Sequence, residues 1–174
     1  MTRLQSGALQ INKEIQPIEE VIGAALNRLE APLRERSITT NVPDKLPMVA
    51  IDAVLMEQVF VNLIENALKY TQPSDKIELE AQPMPDNSLL IQVHDSGPGI
   101  QPNEEERVFE KFFRSKDTDA SIFGAGLGLA ICRGIVQAHG GSIWAERSRL
   151  GGACISMKLP SAQPAELEAQ QLRK

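Results

Sequence analysis

Residues 53–70, "AVLMEQVFVNLIENALKY", place Met56, Phe60, Leu63 and Ala67 on one stripe at about 100° per residue. Asn62, Asn66 and Lys69 fall on the opposite stripe, with Glu65 beside them. The pattern predicts an amphipathic helix, and Asp52 is placed to cap its start. Asparagine is a mediocre interior helix residue, because its side chain competes for backbone hydrogen bonds. The polar stripe is therefore either a solvated face or a chosen set of two amides, a carboxylate and an ammonium.

The same periodicity predicts a helix in "QPIEEVIGAALNRLEAPLRER", with Pro17 in its first turn and Val21, Ile22, Ala25 and Leu29 at helical spacing. Two short strands, "SITTNV" and "PMVAI", follow on either side of the turn-rich "PDKLP". "KIELEA" and "SLLIQVHD" read as a hairpin across Asp86 and Asn87. Residues 101 to about 123 are charged and irregular, with Val108, Phe109, Phe112 and Phe113 anchoring one short helix and "RSKDTDAS" forming a mobile polar loop. A helix then runs from near Ala125 to Gly140 or Gly141, and "SIWAERS" with "GACISMKLP" forms a second hairpin. "MTRLQSGALQINK" reads as the end of a helix with an exit at Gly7, and residues 161–174 as a polar tail or a frayed helix. The order α, ββ, α, ββ, α, ββ gives an α+β class: a two-layer sandwich of helices on one mixed, mostly antiparallel sheet.

Bulk properties narrow the function by exclusion. The 174 residues suit one domain, and 18 basic against 23 acidic residues give a net charge of −5 without a basic cluster. Duplex nucleic acid is excluded as a partner on that ground. Cys132 and Cys154 lie far apart in apolar segments, so neither a metal spacing nor a disulfide framework is present, and a reducing, cytosolic setting is expected. No run of about 18 apolar residues and no signal-peptide pattern occurs. Any membrane contact of a complete protein would come from segments outside this sequence.

Two glycine sites carry candidate chemistry. In "HDSGPGI", Asp95 ends an apolar strand, and Gly97 and Gly99 follow. The string is a good turn in itself. It also suits an adenine, whose exocyclic amine would donate to Asp95 while the glycines let a flat ring approach the backbone. In "GAGLGL", Gly124, Gly126 and Gly128 lead into a helix N-terminus, which presents free N–H groups to phosphate. Leu129 excludes both the P-loop and the Rossmann fingerprint, so the alternative is a close helix-packing site.

Taken in order, "NLIENALKY", "DSGPGI", "FEKFFR", "GAGLGLAI" and "GGACISMKLP" resemble the N, G1, F, G2 and final boxes of sensor histidine kinases. These belong to the GHKL superfamily of ATP-binding domains, shared with gyrase and MutL. The resemblance spans about residues 14–160, taken as the catalytic domain; residues 1–13 look like the end of a dimerisation helix with its linker, and 161–174 are a polar C-terminal tail. "MTRLQSG", "AICRGIVQAHGG" and "GGACISMKLP" look most like the potassium-responsive Kdp group of these kinases.

The resemblance implies a mixed sheet under three helices, with ATP held beneath a flexible lid. It implies that Asn66 coordinates Mg²⁺, supported by Asn62; hard Mg²⁺ accepts an amide oxygen. Lys69 would neutralise phosphate, Tyr70 would line the pocket, and Asp95 with Gly97 and Gly99 would take adenine. Arg114 would reach the γ-phosphate, and Gly124, Gly126, Leu127 and Gly128 would shape the lid and phosphate cradle. Many relatives carry Thr where this chain has Ala125.

Hydrolysing members of the superfamily use a glutamate one turn before the metal asparagine; here that position is Asn62, which cannot act as a base. The expected activity is therefore transfer of the γ-phosphoryl group to a histidine on a dimerisation domain absent from this chain, with a response regulator downstream. Neither His94 nor His139 begins a phosphoacceptor motif, and both are expected to be structural. The chain is expected to be a monomeric, cytoplasmic piece of an inner-membrane sensor. The rival readings are an anti-sigma type serine kinase and a non-catalytic nucleotide sensor.

Overall fold

The computed structural model describes residues 9–115 and 126–174. The end-of-helix reading at Gly7 and the lid residues Phe123, Gly124 and Ala125 lie outside the described residues. Among the described residues the chain forms β1 (Glu14–Gln16), α1 (Ile18–Arg28), α2 (Glu30–Leu33), β2 (Ile38–Asn41), β3 (Val49–Ile51) and α3 (Ala53–Lys69). The hairpin β4 (Ile77–Pro83) and β5 (Ser88–Asp95) comes next, then a single 3-10 turn over Arg107–Phe109. The chain ends with α4 (Gly128–Ala138), β6 (Ser142–Arg147), β7 (Ala153–Pro160) and α5 (Pro164–Leu172).

The principal sheet has the order β2-β4-β5-β7-β6; β2 runs parallel to β4 and every other pair is antiparallel. Side chains alternate across it. Leu79, Val93, Ile155 and Ala145 are matched across four strands, as are Ala81, Ile91, Met157 and Ile143, and these rows are buried. The helices α1, α3 and α4 cover this face, with α3 packed against both of the others. The expected α+β sandwich is thus the observed one. Glu78, Glu80, Gln92, His94, Ser156 and Glu146 alternate to the other face.

α3 forms for the reasons its pattern gives. Met56, Phe60, Leu63 and Ile64 are buried almost completely, and Val59 and Ala67 extend the apolar face. Asp52 caps the helix by accepting from the Leu55 N–H at 3.2 Å. Its other carboxylate oxygen accepts from the Asn12 N–H at 3.0 Å. The Asp52 N–H donates to His139 Nε2 at 3.0 Å, while His139 Nδ1 donates to the Ile135 carbonyl at 2.7 Å. One knot therefore joins the entering chain, the start of α3 and the end of α4.

Several local expectations are corrected. The first helix does not run unbroken to residue 36: α1 stops at Arg28 and only the four-residue α2 follows. Pro32 is the cause, since it lacks an N–H and its ring clashes with the carbonyl four residues back. Residues 14–16 form a further strand: β1 pairs antiparallel with β3 in a separate two-stranded sheet, which takes "PMVAI" out of the principal sheet. α4 begins at Gly128 and not near Ala125, because Gly126 has φ +70° and cannot continue a right-handed helix. Phe109 is buried, but Phe112 is 70% exposed with φ +64°, so it does not anchor the segment. The tail forms α5, with a capping box between Gln163 and Glu166. Gln170 ties α5 to β1, accepting from the Ile15 N–H at 2.6 Å and donating to the Ile15 carbonyl at 3.1 Å.

The knot predicts a pH dependence. His139 must stay neutral to accept from Asp52, and its pKa is lowered, chiefly by burial, despite the favourable bond to Ile135. The unfolded chain then binds a proton more readily than the folded one. Stability contributed here is complete above the ordinary histidine value of about 6.5 and is lost as pH falls towards the lowered folded value. The urea midpoint should fall between pH 7.5 and 5.5. His139→Gln, which keeps a neutral acceptor, should be less stable at pH 7.5 but should lose less over that range. Equal losses would remove His139 as the titrating group.

Candidate functional site

A cleft of about 580 Å³ opens between the C-terminal half of α3, the end of β5 and the start of α4. That volume suits a small-molecule ligand. Asn62, Asn66, Lys69, Tyr70, Asp95, Gly99, Arg114, Gly126, Leu127 and Gly128 all line it. Residues read from four separate stretches of sequence therefore meet in one place. Gly97 is the exception among the described residues, for it sits behind Asp95. A Cβ there would lie 2.9 Å from Thr71 Cγ2 and 3.1 Å from the Tyr70 carbonyl. Its smallness lets the turn close on the end of α3. Gly124 lies outside the described residues.

The polar stripe of α3 is not a solvated face. Asn62 and Asn66 are half-buried, whereas Glu65 is exposed. Asn62 accepts from Gln58 Nε2 at 2.8 Å and reaches the Gly128 carbonyl from Nδ2 at 3.5 Å, bridging α3 to the first residue of α4. The Asn66 amide makes no hydrogen bond among the described residues and lines the cleft. Lys69 Nζ lies 5.6 Å from the Tyr70 ring centroid. Its pKa is lowered, first by burial and then by the positive charge of Arg114. Lys69 and Arg114 thus place two positive charges on the lining of one cleft.

The other end is acidic. Asp95 Oδ1 accepts two backbone bonds, from Gly97 at 3.0 Å and Ala153 at 3.1 Å. Oδ2 takes none among the described residues, which leaves it for another donor. Burial raises the Asp95 pKa, and the two N–H donors work against that rise. α4 starts without a side-chain cap, at Leu127, so its first N–H groups open towards the cleft. Gly126 is pinned from behind: a Cβ there would lie 2.9 Å from the Phe113 carbonyl, and the Phe112 N–H donates to the Gly126 carbonyl at 3.0 Å.

Sequence reasoning missed several lining residues. Thr71 and Asp75 follow α3, and Asp75 accepts from Ser96 Oγ at 3.2 Å. Glu104 also lines the cleft, with Oε2 buried and unpartnered among the described residues. Ala153 and Ile155 come from β7 and become visible only once β5 and β7 are paired. Gly152 matters most, although it does not line the cleft. Its N–H donates to the Asp95 carbonyl at 3.1 Å, and a Cβ would collide with Asp95 Oδ1 and lie 2.6 Å from the Asp95 carbonyl.

Among the described residues no cluster of three or more His, Cys, Asp or Glu could hold a metal ion. The Asn66 amide oxygen in the cleft is a donor of the kind a hard divalent cation accepts.

A three-helix layer over a mixed sheet, with a cleft cationic at one end and acidic at the other, defines a nucleotide-binding domain of the GHKL type. The chain belongs to the family described as histidine kinase-, DNA gyrase B- and HSP90-like ATPases, matched over residues 51–163. It is 42% identical over 168 residues to the sensor protein KdpD of Escherichia coli, covering 97% of this chain and 18% of that protein. It is 34% identical over 162 residues to the sensor protein kinase WalK of Staphylococcus aureus, covering 92% of this chain and 39% of that protein. The chain thus spans less than half the length of these relatives. A mycobacterial sensor histidine kinase, MprB, superposes with a TM-score of 0.78 at 29% identity, over 85% of this chain and 98% of that one. Full-length ShkA, solved in complex with AMPPNP, superposes with a TM-score of 0.79 at 27% identity, over 93% of this chain and 34% of that one.

The contact at Gly152 is testable. Gly152→Ala should push the β6–β7 turn off Asp95 and cost about 1–3 kcal/mol of stability, as overpacking does elsewhere. Gly151→Ala is a useful contrast: φ is +102° there, but a Cβ meets nothing within 4 Å. Chemical denaturation together with nucleotide titration should show lost binding only for Gly152→Ala. Retained binding would mean that the turn does not set the Asp95 position.

Proposed function

We propose that this chain is the ATP-holding catalytic domain of a two-component sensor histidine kinase. It would bind Mg·ATP and present the γ-phosphoryl group to a histidine on a separate dimerisation domain, with a response regulator as the next acceptor. The similarity to KdpD favours a potassium-responsive, membrane-anchored parent. Among the described residues no helix is long and apolar enough to cross a membrane, so an anchor would lie elsewhere.

The observation that carries the reading is the polarity of the cleft. Asp95 Oδ2 stands ready for the adenine amine, and Lys69 and Arg114 converge where phosphates would lie. Asn66 would hold Mg²⁺ through its amide oxygen; the metal would neutralise phosphate charge. Tyr70 and Gly99 shape the path between the two ends, and Gly126, Leu127 and Gly128 bring the N-terminus of α4 to the phosphates. Arg114 would stabilise charge on the departing phosphoryl group.

Transfer is favoured over hydrolysis by the surroundings of residue 62. Asn62 is an amide already engaged by Gln58 and by the Gly128 carbonyl, and it cannot take a proton from water. Glu65 is exposed on the helix and points about 100° away from Asn66. The acceptor is not in this chain either. Its two histidines are 5% and 2% exposed, and both ring nitrogens of each are hydrogen-bonded.

Incubation with radiolabelled ATP should leave the chain unlabelled, and adding a phosphoacceptor dimerisation domain should give acid-labile phosphohistidine on that domain. Intact ATP binding without transfer would favour a nucleotide sensor. Asn66→Ala should weaken Mg·ATP binding by about tenfold or more while leaving metal-free nucleotide binding nearly unchanged. Equal loss in both would reduce Asn66 to a packing role.

A further inference from the structure

His94 and Asp95 are successive residues of β5, so their side chains leave opposite faces of the sheet. Asp95 lines the cleft, whereas His94 lies on the open face and is nevertheless only 5% exposed. It is buried there by a polar network. His94 Nε2 is 3.0 Å from Glu80 Oε1, and Nδ1 is 3.0 Å from Ser148 Oγ. With a neutral imidazole, Nε2–H donates to the carboxylate and Nδ1 accepts the Ser148 hydroxyl proton. Ser148 is itself buried, and its Oγ accepts from the Leu150 N–H at 3.0 Å.

Ser148 begins the β6–β7 turn. Its N–H donates to the Gly152 carbonyl at 2.8 Å, and the Gly151 N–H donates back to the Ser148 carbonyl at 3.0 Å. Arg149, the next residue, bonds Glu78 at 2.6 Å and Glu80 at 3.2 Å. The turn is therefore latched to β4 and β5 from the open face. Its far end delivers the two N–H groups that hold Asp95: Gly152 to the carbonyl and Ala153 to Oδ1, each at 3.1 Å.

We propose that His94 is a positioning residue for base recognition: through Ser148 it sets the β6–β7 turn, and the turn sets the Asp95 carboxylate on the opposite face of the sheet. The proposal rests on the reading of Asp95 as the group that meets the base. Three features support it together. His94 is bonded on both ring nitrogens, one of its partners is the first residue of the turn, and Gly152 in that turn has no room for a side chain against Asp95.

The test compares ATP, GTP and inorganic tripolyphosphate, each with Mg²⁺, on the chain and its variants by calorimetric titration. Ser148→Ala and His94→Leu should weaken ATP binding about three- to tenfold and narrow the ATP-over-GTP ratio, as expected when a base-reading group is misplaced. Tripolyphosphate binding should stay unchanged. His94→Gln, which keeps one donor and one acceptor, should restore most of the ratio. Ser88→Ala, at the far end of β5, is the control for loss of stability alone and should leave the ratio intact. If Asp95→Asn narrows the ratio but the His94 and Ser148 variants do not, the latch is overturned and the base reading stands. Tripolyphosphate binding that falls in step with ATP, or a narrowed ratio in Ser88→Ala, would also overturn the latch. If Asp95→Asn leaves the ratio untouched, or the parent chain binds ATP and GTP equally, the base reading itself fails.

Discussion

The rotation of α3 about its own axis is the constraint on which the cleft depends. Burial of Met56, Phe60, Leu63 and Ile64 fixes that rotation, because each residue turns the helix by about 100°. The same angle that buries Phe60 directs Asn66 and Lys69 into the cleft. Polar chemistry is thus positioned by apolar packing, at a cost of two asparagines in the helix interior. Asn62 offsets part of that cost by tying α3 to Gly128.

A second consequence is the separation of charge along the cleft. Lys69 and Arg114 repel one another at one end, and Asp95 is desolvated at the other. The two ends of the cleft therefore differ in charge, and under the proposed reading they suit a ligand with anionic oxygens at one end and an N–H donor at the other.

Much of this was legible in the sequence, for identifiable reasons. α3 has a strong period and a capping aspartate, so its faces can be assigned, and Asn66 stands out as a poor interior helix residue, whereas Asp95 fits a turn equally well and gains its reading from the order of the motifs. The parallel β2–β4 pair was not legible, since a strand's own pattern does not name its partner. β1 is three residues long, too short for alternation to register. Phe112 misled because an aromatic residue reads as buried, whereas its left-handed backbone turns it outward. Ser148 and Gly152 act on Asp95 across a strand register, and no spacing in the sequence encodes that contact.

The knot at Asp52 has a mechanical side. Chain entering ahead of β1 is fastened by Asn12 to the Asp52 carboxylate, by β1 to β3, and by Ile15 to α5. Tension on residues before Asn12 is therefore carried by the N-terminal end of α3 and the C-terminal end of α4. A pull from upstream would therefore be felt first at the start of α3 and the end of α4, the two helices whose opposite ends border the cleft.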